Sequence, residues 1–339
     1  MKKSTAALLV SSFLFLVLLL VGYYNITRPR VLVLHSYDPD FIWVKGLDAS
    51  FRKTLKELKR PVLTRWHYMN LRGAPGPQFE ETAAASARRA IETFEPQVLV
   101  VFDDIAAKLV TPELLNRPDM RIVFAGIDES LAHHGFDQAH NTTGMLERIP
   151  VAALRDAVSH LGQGRPLTVA CLGDDRAVAK AEAVEIAAQN WQPHRLLPCE
   201  QVDNFPAWQA AVERLGQQAD ILFVAGYRGL HRQAGHPEVV PPAEVGQWTE
   251  AHSKALTMAA KITFVPDGGA MAITPSPQEH GQTAARLTAA VLRGKSPEAL
   301  PVTTGQAFVV SMHKERLQRH GLQLPPVYEA AARAAGTLQ

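Results

Sequence analysis

The sequence predicts an α/β protein of two lobes, each an open parallel sheet covered by helices, behind a membrane-crossing N-terminal helix. Three observations predict it. Short continuous apolar runs alternate with amphipathic stretches, the pattern of parallel strands buried on both faces. That alternation restarts near the middle of a 339-residue chain, a length suited to two domains of about 150 residues. Ahead of it stands one uncharged apolar run, residues 6–24, AALLVSSFLFLVLLLVGYY.

The apolar run makes about 28 Å of helix, close to the hydrocarbon thickness of a bilayer. It has no polar stripe, so it is not a buried core helix. Lys2 and Lys3 in front of it hold the N-terminus in the cytoplasm and export the body. Tyr23 and Tyr24 stand where a signal peptidase needs small residues, which favours an uncleaved anchor over a cleaved signal. The expected location is therefore the periplasm or another extracytoplasmic space, with residues 6–24 in the inner membrane.

Composition narrows the function. Lys and Arg number 35 against 33 Asp and Glu. Lys2 and Lys3 account for the difference, and no basic block exists to neutralise phosphates, which excludes a nucleic-acid partner. Two cysteines cannot staple a chain of this size. Cys171 and Cys199 fall on neighbouring expected strands, and an exported domain could join them, but two buried thiols are the plainer expectation. Asn141-Thr142-Thr143 matches a glycosylation acceptor, which carries little weight behind a bacterial type of leader.

In order, strands are expected over 31–34, 62–68, 98–102 and 122–125. Leu47, Phe51, Leu55 and Leu58 mark one helical face between the first two. Phe79, Ala83, Ala87, Ala90, Ile91 and Phe94 mark another, stopped by Pro96. The second lobe opens with a helix carrying Val151, Leu154, Val158 and Leu161. Strands follow over 167–172, 195–200, 221–225, 262–265 and 270–274, with helices over 177–189 and 208–215.

In open parallel sheets ligands bind beyond the carboxyl ends of the strands. The first lobe places Ser36, Tyr37, Asp103, Asp104, Gly126 and Asp128 there, with Trp43 close by as a stacking wall. The second places Asp175, Tyr227, Arg228 and Asp267. A strand-end Asp also caps helices routinely, so the accumulation carries the argument. Asp103 and Asp104 suit an amine or hydroxyl, and Arg228 suits a carboxylate through its planar fork. Such a pair fits a zwitterion such as an amino acid; sugars, nucleosides and other small polar solutes fit the same tips.

The ordered segments VLVLHSYDPDFIWVKGLDASF, Tyr68-Met69-Asn70-Leu71-Arg72, VLVVFDDIAAKLV, RIVFAGIDES and Asn141-Thr142-Thr143-Gly144-Met145 carry a resemblance. So do GGAMAITPSPQEHGQTAARLTAAVLRGKSPEALPV and Gly321-Leu322-Gln323-Leu324-Pro325. Together they resemble the ABC-transporter substrate-binding family of type 1 periplasmic binding proteins, in the branch also found as sensing domains of bacterial signalling proteins. The resemblance spans residues 30–325. Ile105, Asn70, Arg72 and Asp128 depart from the branch pattern, so the ligand cannot be copied from relatives.

The resemblance implies two Rossmann-like three-layer lobes joined by a hinge. The expected division is residues 1–27 as anchor or signal, 28–148 with 276–298 as lobe 1, and 149–275 with 299–330 as lobe 2. It implies capture of a small polar solute between lobes and delivery to an ABC transporter permease. The alternative is a membrane-anchored sensing module; with no kinase or cyclase region following, it would act on a separate membrane sensor protein.

An exported hydrolase is disfavoured. No G-x-S-x-G, H-E-x-x-H or G-x-x-x-x-G-K-[ST] pattern occurs. His133, His134 and His140 lie in a loop without a supporting carboxylate at helical spacing. Asp103, Asp104 and Asp128 are a weak cation set. No catalytic residue, metal or cofactor is expected.

Overall fold

The computed structural model describes residues 2–57, 61–71 and 76–339, with side chains from 10–22 and from 28 onward. Leu58, Arg72 and the side chains of Lys2, Lys3, Tyr23 and Tyr24 lie outside the described residues. Helix α1 (Lys2–Thr27) comes first. Its described large side chains, Val10, Phe13, Leu14 and others through Val21, are exposed. Among the described residues no helix is long and apolar enough to cross a membrane, so the anchor rests on the sequence pattern of 6–24.

The chain then divides into two compact units, residues 1–146 with 277–303 and residues 147–276 with 304–339. The first runs β1 (Arg30–His35), α2 (Ile42–Glu57), β2 (Leu63–Tyr68), α3 (Pro77–Phe94), β3 (Val98–Phe102), α4 (Asp104–Val110), β4 (Arg121–Ile127) and β5 (Thr142–Leu146). The second runs α5 (Val151–Gly162), β6 (Thr168–Asp174), α6 (Ala177–Ala188), β7 (Arg195–Val202), α7 (Phe205–Gln218), β8 (Ile221–Val224), α8 (Pro242–His252), β9 (Leu256–Ala259) and β10 (Met271–Pro275). The chain returns to the first unit with α9 (Pro277–Leu292) and β11 (Thr303–Thr304). It closes the second with β12 (Phe308–Met312), α10 (Lys314–Arg319) and α11 (Pro326–Ala335).

Each unit holds one six-stranded sheet, ordered β11-β5-β4-β3-β1-β2 in the first and β12-β10-β9-β8-β6-β7 in the second. Pairings among β1–β5 are parallel, as are those joining β6–β10. β12 runs antiparallel to β10, so the second sheet is mixed rather than purely parallel. Strand order reverses between β1 and β3 and again between β6 and β8, which fixes where each sheet can seat a ligand.

Burial explains the strands. Val31 to Leu34 and Val98 to Phe102 are shielded on both faces. In the first unit α3 and α4 cover one face, with Ala84, Ala87, Ile91 and Val110 packed on Leu32, Leu34, Leu99 and Val101. α2 and α9 pack against each other and close the unit. In the second unit α5 and α6 build one core and α7 and α8 the other.

Two expectations fail here. The run 262–265 is a turn; the strand lies at β9, which was not foreseen. Phe264 and Val265 are buried core anchors of that turn, and an apolar run reports burial without reporting extension. The thiol expectation also fails: Cys171 and Cys199 face each other across β6 and β7 and form a disulfide, with Cα atoms 4.4 Å apart. Asn141 is no glycosylation acceptor in this fold. It is buried, and its amide ties Leu114, Asn116 and Met120 together.

The disulfide spans a sequence separation of 28, so loop-closure entropy gives it about 3.5 kcal/mol. Reduction, or the Cys171→Ala/Cys199→Ala pair, should lower the unfolding free energy by that amount, seen as a fall in the urea midpoint. An unchanged midpoint would show the bridge to be energetically idle.

Candidate functional site

At the first switch point β1 ends in Ser36 and β3 ends in Asp103. Ser36 is fully buried and spent on the fold: its Oγ donates to Phe102 O (3.3 Å) and accepts from Ala106 N (2.8 Å). The hydroxyl expected to hydrogen-bond a ligand thus has its proton and one lone pair committed to the backbone. Tyr37 is half-buried and sets its ring edge-on to Phe41.

Asp103 is the most unusual residue of the unit. Its φ of 71° and ψ of 155° lie in a region that glycine alone enters freely. The residue is 6% exposed. Oδ1 accepts from the Trp43 indole N–H (3.1 Å), while Oδ2 has no partner. Burial, with Asp104 and Asp128 nearby, pushes the Asp103 carboxyl well above its ordinary range, against the pull of the Trp43 hydrogen bond. Trp43 is therefore more than a wall: it is buried and its indole N–H is committed to Asp103.

His280 on α9, which sequence reasoning missed, completes the cluster. Its ring lies 5.6 Å from that of Trp43. Gly126 adopts a left-handed φ of 69° and donates its N–H to His280 Nδ1 (3.2 Å). The imidazole proton therefore sits on Nε2, which is buried without a partner. Burial pushes His280 down to about 4. Neighbouring residues of β4 thus meet the His280 ring and the Asp103 backbone, since Ala125 O accepts from Asp103 N (3.1 Å). The approach of α9 depends on Gly281, where a Cβ would strike Ser50 Oγ and the Leu47 carbonyl of α2.

Asp104 does different work. Its carboxylate accepts from the backbone N–H groups of Asp128 (2.9 Å) and Glu129 (3.2 Å) and from His134 Nε2 (2.8 Å). It clamps the loop after β4. Asp104, Glu129 and His134 offer ligand atoms within 4.8 Å of one another and are the described residues best placed to hold a cation, yet the hydrogen bonds already present account for their arrangement. Asp128 is exposed at the edge of this loop.

A second unforeseen cluster lies beside β1. Asp48 accepts from His35 Nε2 (2.9 Å), Trp66 Nε1 (2.9 Å) and Tyr68 Oη (2.5 Å). These bonds outweigh burial and hold the Asp48 carboxylate below its usual value. The network ties α2 to β1 and β2.

The second unit has its own switch point. Asp175 is exposed, whereas the adjacent Asp174 is fully buried and accepts from Gly229 N (2.8 Å) and Arg176 Nε (2.9 Å). Asp174 shapes the tip that Asp175 was expected to form. Tyr227 is buried and donates to Asp267 Oδ2 (2.5 Å), and burial beside that carboxylate raises its phenol. Arg228 Nη1 donates to the same oxygen (2.5 Å) and to Thr263 Oγ1 (3.3 Å). The structure thus brings Tyr227, Arg228 and Asp267 together, but Asp267 already compensates the Arg228 charge expected to grip a carboxylate. A cavity of about 410 Å³ lined by Arg165, Asp220, Lys254 and His320 lies at the opposite, amino ends of β6 and β8.

Two outcomes follow from the first-unit geometry. Asp103→Gly relieves the backbone strain and removes the unpaired oxygen, against the glycine entropy and the lost Trp43 partner, for a net gain of about 1 kcal/mol. A lower melting temperature for Asp103→Gly would contradict the strain. His280 has a depressed folded value, so its contribution is complete above pH 6.5 and is lost as pH falls toward about 4. The loss amounts to about 3 kcal/mol. Urea titrations across that window should show the loss in the wild type and a flatter profile in His280→Gln.

No family model and no curated protein matches the chain. Solved structures do. A ligand-free, open substrate-binding protein with adhesive properties from Clostridium difficile matches at a TM-score of 0.67 and 11% identity, covering 88% of this chain and 96% of that one. An ABC domain in complex with L-Trp from Streptococcus pneumonia matches at 0.63 and 14%, covering 90% and 98%. The XylFII–LytSN complex matches at 0.51 and 12%, covering 84% and 97%. The first two are named for transport or binding, not for catalysis. With two parallel-cored α/β units and matches across nearly the whole length of these chains, this protein has the fold of the type 1 periplasmic binding proteins.

Proposed function

We propose that the chain is an extracytoplasmic solute-binding protein that takes up a small polar solute between its two lobes and delivers it to an ABC transporter permease, held at the inner membrane by residues 6–24. The observation that carries this reading is Asp103. A strained backbone, a buried carboxyl and an unused oxygen at the switch point of a sheet are costs that packing does not repay. The second unit sets Tyr227, Arg228 and Asp267 at its own switch point, the same position in the fold. Solute binding would then stabilise the form in which both sets are engaged, by its differential affinity for that form.

A second reading, a ligand-sensing module acting on a separate membrane sensor protein, draws support from the XylFII–LytSN neighbour, which was solved as a complex. Crosslinking in membranes separates the two by the partner captured, a permease or a sensor protein.

The direct test is a thermal-shift screen of the full-length protein in detergent against amino acids, nucleosides and sugars. A solute at 100 times its dissociation constant adds about 2.7 kcal/mol, a shift of several degrees. Asp103→Ala should abolish the shift. A screen with no stabilising solute would contradict the receptor reading.

A further inference from the structure

The first unit says more about the chemistry of its ligand than the fold does. Asp103 Oδ2 and His280 Nε2 are both buried and both unpartnered. One indole links the two side chains, since Trp43 bonds Asp103 and lies against His280, and the end of β4 meets both residues, through Ala125 at the Asp103 backbone and Gly126 at the His280 ring. Gly126 N–H occupies His280 Nδ1, which leaves Nε2–H a donor in search of an acceptor. Asp103 Oδ2 is likewise enclosed, and the charged groups acting on it, Asp104 and Asp128, are both acidic. A bare carboxylate there would be an uncompensated buried charge among like charges, the most costly state available to it.

We propose that Asp103, in its acid form, and His280 together make a donor pair that holds an uncharged oxygen acceptor of the solute, a hydroxyl or carbonyl. This rests on the solute-binding reading and deepens it, since it assigns the first-unit subsite to a neutral group rather than to an ammonium or a carboxylate. The raised value of Asp103 and the lowered value of His280 agree with it, because each shift favours the neutral form. An anionic acceptor is disfavoured by Asp104 and Asp128. Enclosure also strengthens each bond, because water does not compete for the acceptor.

The pair has a pH signature. The groups acting on Asp103 are Trp43 from α2, Asp104 from α4 and Asp128 beyond β4, and His280 from α9 packs on Trp43. His280 stays neutral above pH 6.5, so Asp103 governs the response there. If Asp103 must keep its proton, affinity falls by up to tenfold per pH unit once Asp103 ionises. A cationic ligand would displace the proton, and its affinity would rise with pH instead.

Two measurements on the full-length protein decide it. Infrared difference spectroscopy of wild type against Asp103→Asn at neutral pH should show a protonated-carboxyl band that the substitution removes; absence of the band overturns the donor assignment whatever the protein binds. Thermal shifts with myo-inositol and glucose as neutral probes, leucine as zwitterion and putrescine as cation should give a hit among the neutral probes. Its affinity should weaken with rising pH in the wild type and lose that dependence in Asp103→Asn. A hit with putrescine alone, tightening as pH rises, overturns the subsite and leaves the solute-binding reading standing. A hit whose affinity is unchanged in both Asp103→Ala and His280→Ala means the pair holds only an internal water, which also overturns it. No hit from any probe, with the band present, contradicts the solute-binding reading and with it the subsite, while keeping Asp103 in its acid form.

Discussion

The packing of α9 on α2 is the contact on which the first unit depends. α9 begins more than a hundred residues after β5, so the unit is complete only when the chain has built most of the second and returned. The two helices meet through small residues. A Cβ at Gly281 would strike Leu47 and Ser50, and one at Gly46 would strike Pro277. That close approach lays His280 against Trp43 and within reach of Gly126. Without it Asp103 would still be strained, but Trp43, which bonds it, would lose the His280 ring packed against it.

The two units share a plan and differ in how they treat charge. In the first, Asp103 keeps an oxygen free and has acidic neighbours. In the second, Asp267 accepts from both Tyr227 and Arg228, so charge is compensated within the unit. The first arrangement is held ready at a cost in stability, whereas the second is largely satisfied as it stands. Under the proposed function, specificity would concentrate in the first unit and the second would supply polar contacts from a prepaid network.

Much of the fold was legible because parallel strands buried on both faces read as unbroken apolar runs; β1 and β3 are examples. The placement of Asp103 and Tyr227 was legible because switch-point geometry puts strand-end residues there, whereas Asp267 reaches Tyr227 from a turn and not from the strand end that the apolar run suggested. What was missed involves pairings distant in sequence or equivocal in pattern. His280 meets Gly126 across a separation of 154 residues, and nothing local on an alanine-rich helix marks it. Ser36 and Asp104 have the residue types of ligand contacts, yet only the backbone positions of Ala106, Asp128 and Glu129 reveal that they are already occupied. Residues 262–265 misled because a core-anchored turn and a strand need the same apolar side chains.

The most direct test of the account is a crystal structure of the full-length protein grown with the solute that stabilises it most. The account predicts an uncharged solute oxygen within hydrogen-bond distance of both Asp103 Oδ2 and His280 Nε2. An ordered water bridging those two atoms, with the solute bound elsewhere, would contradict it.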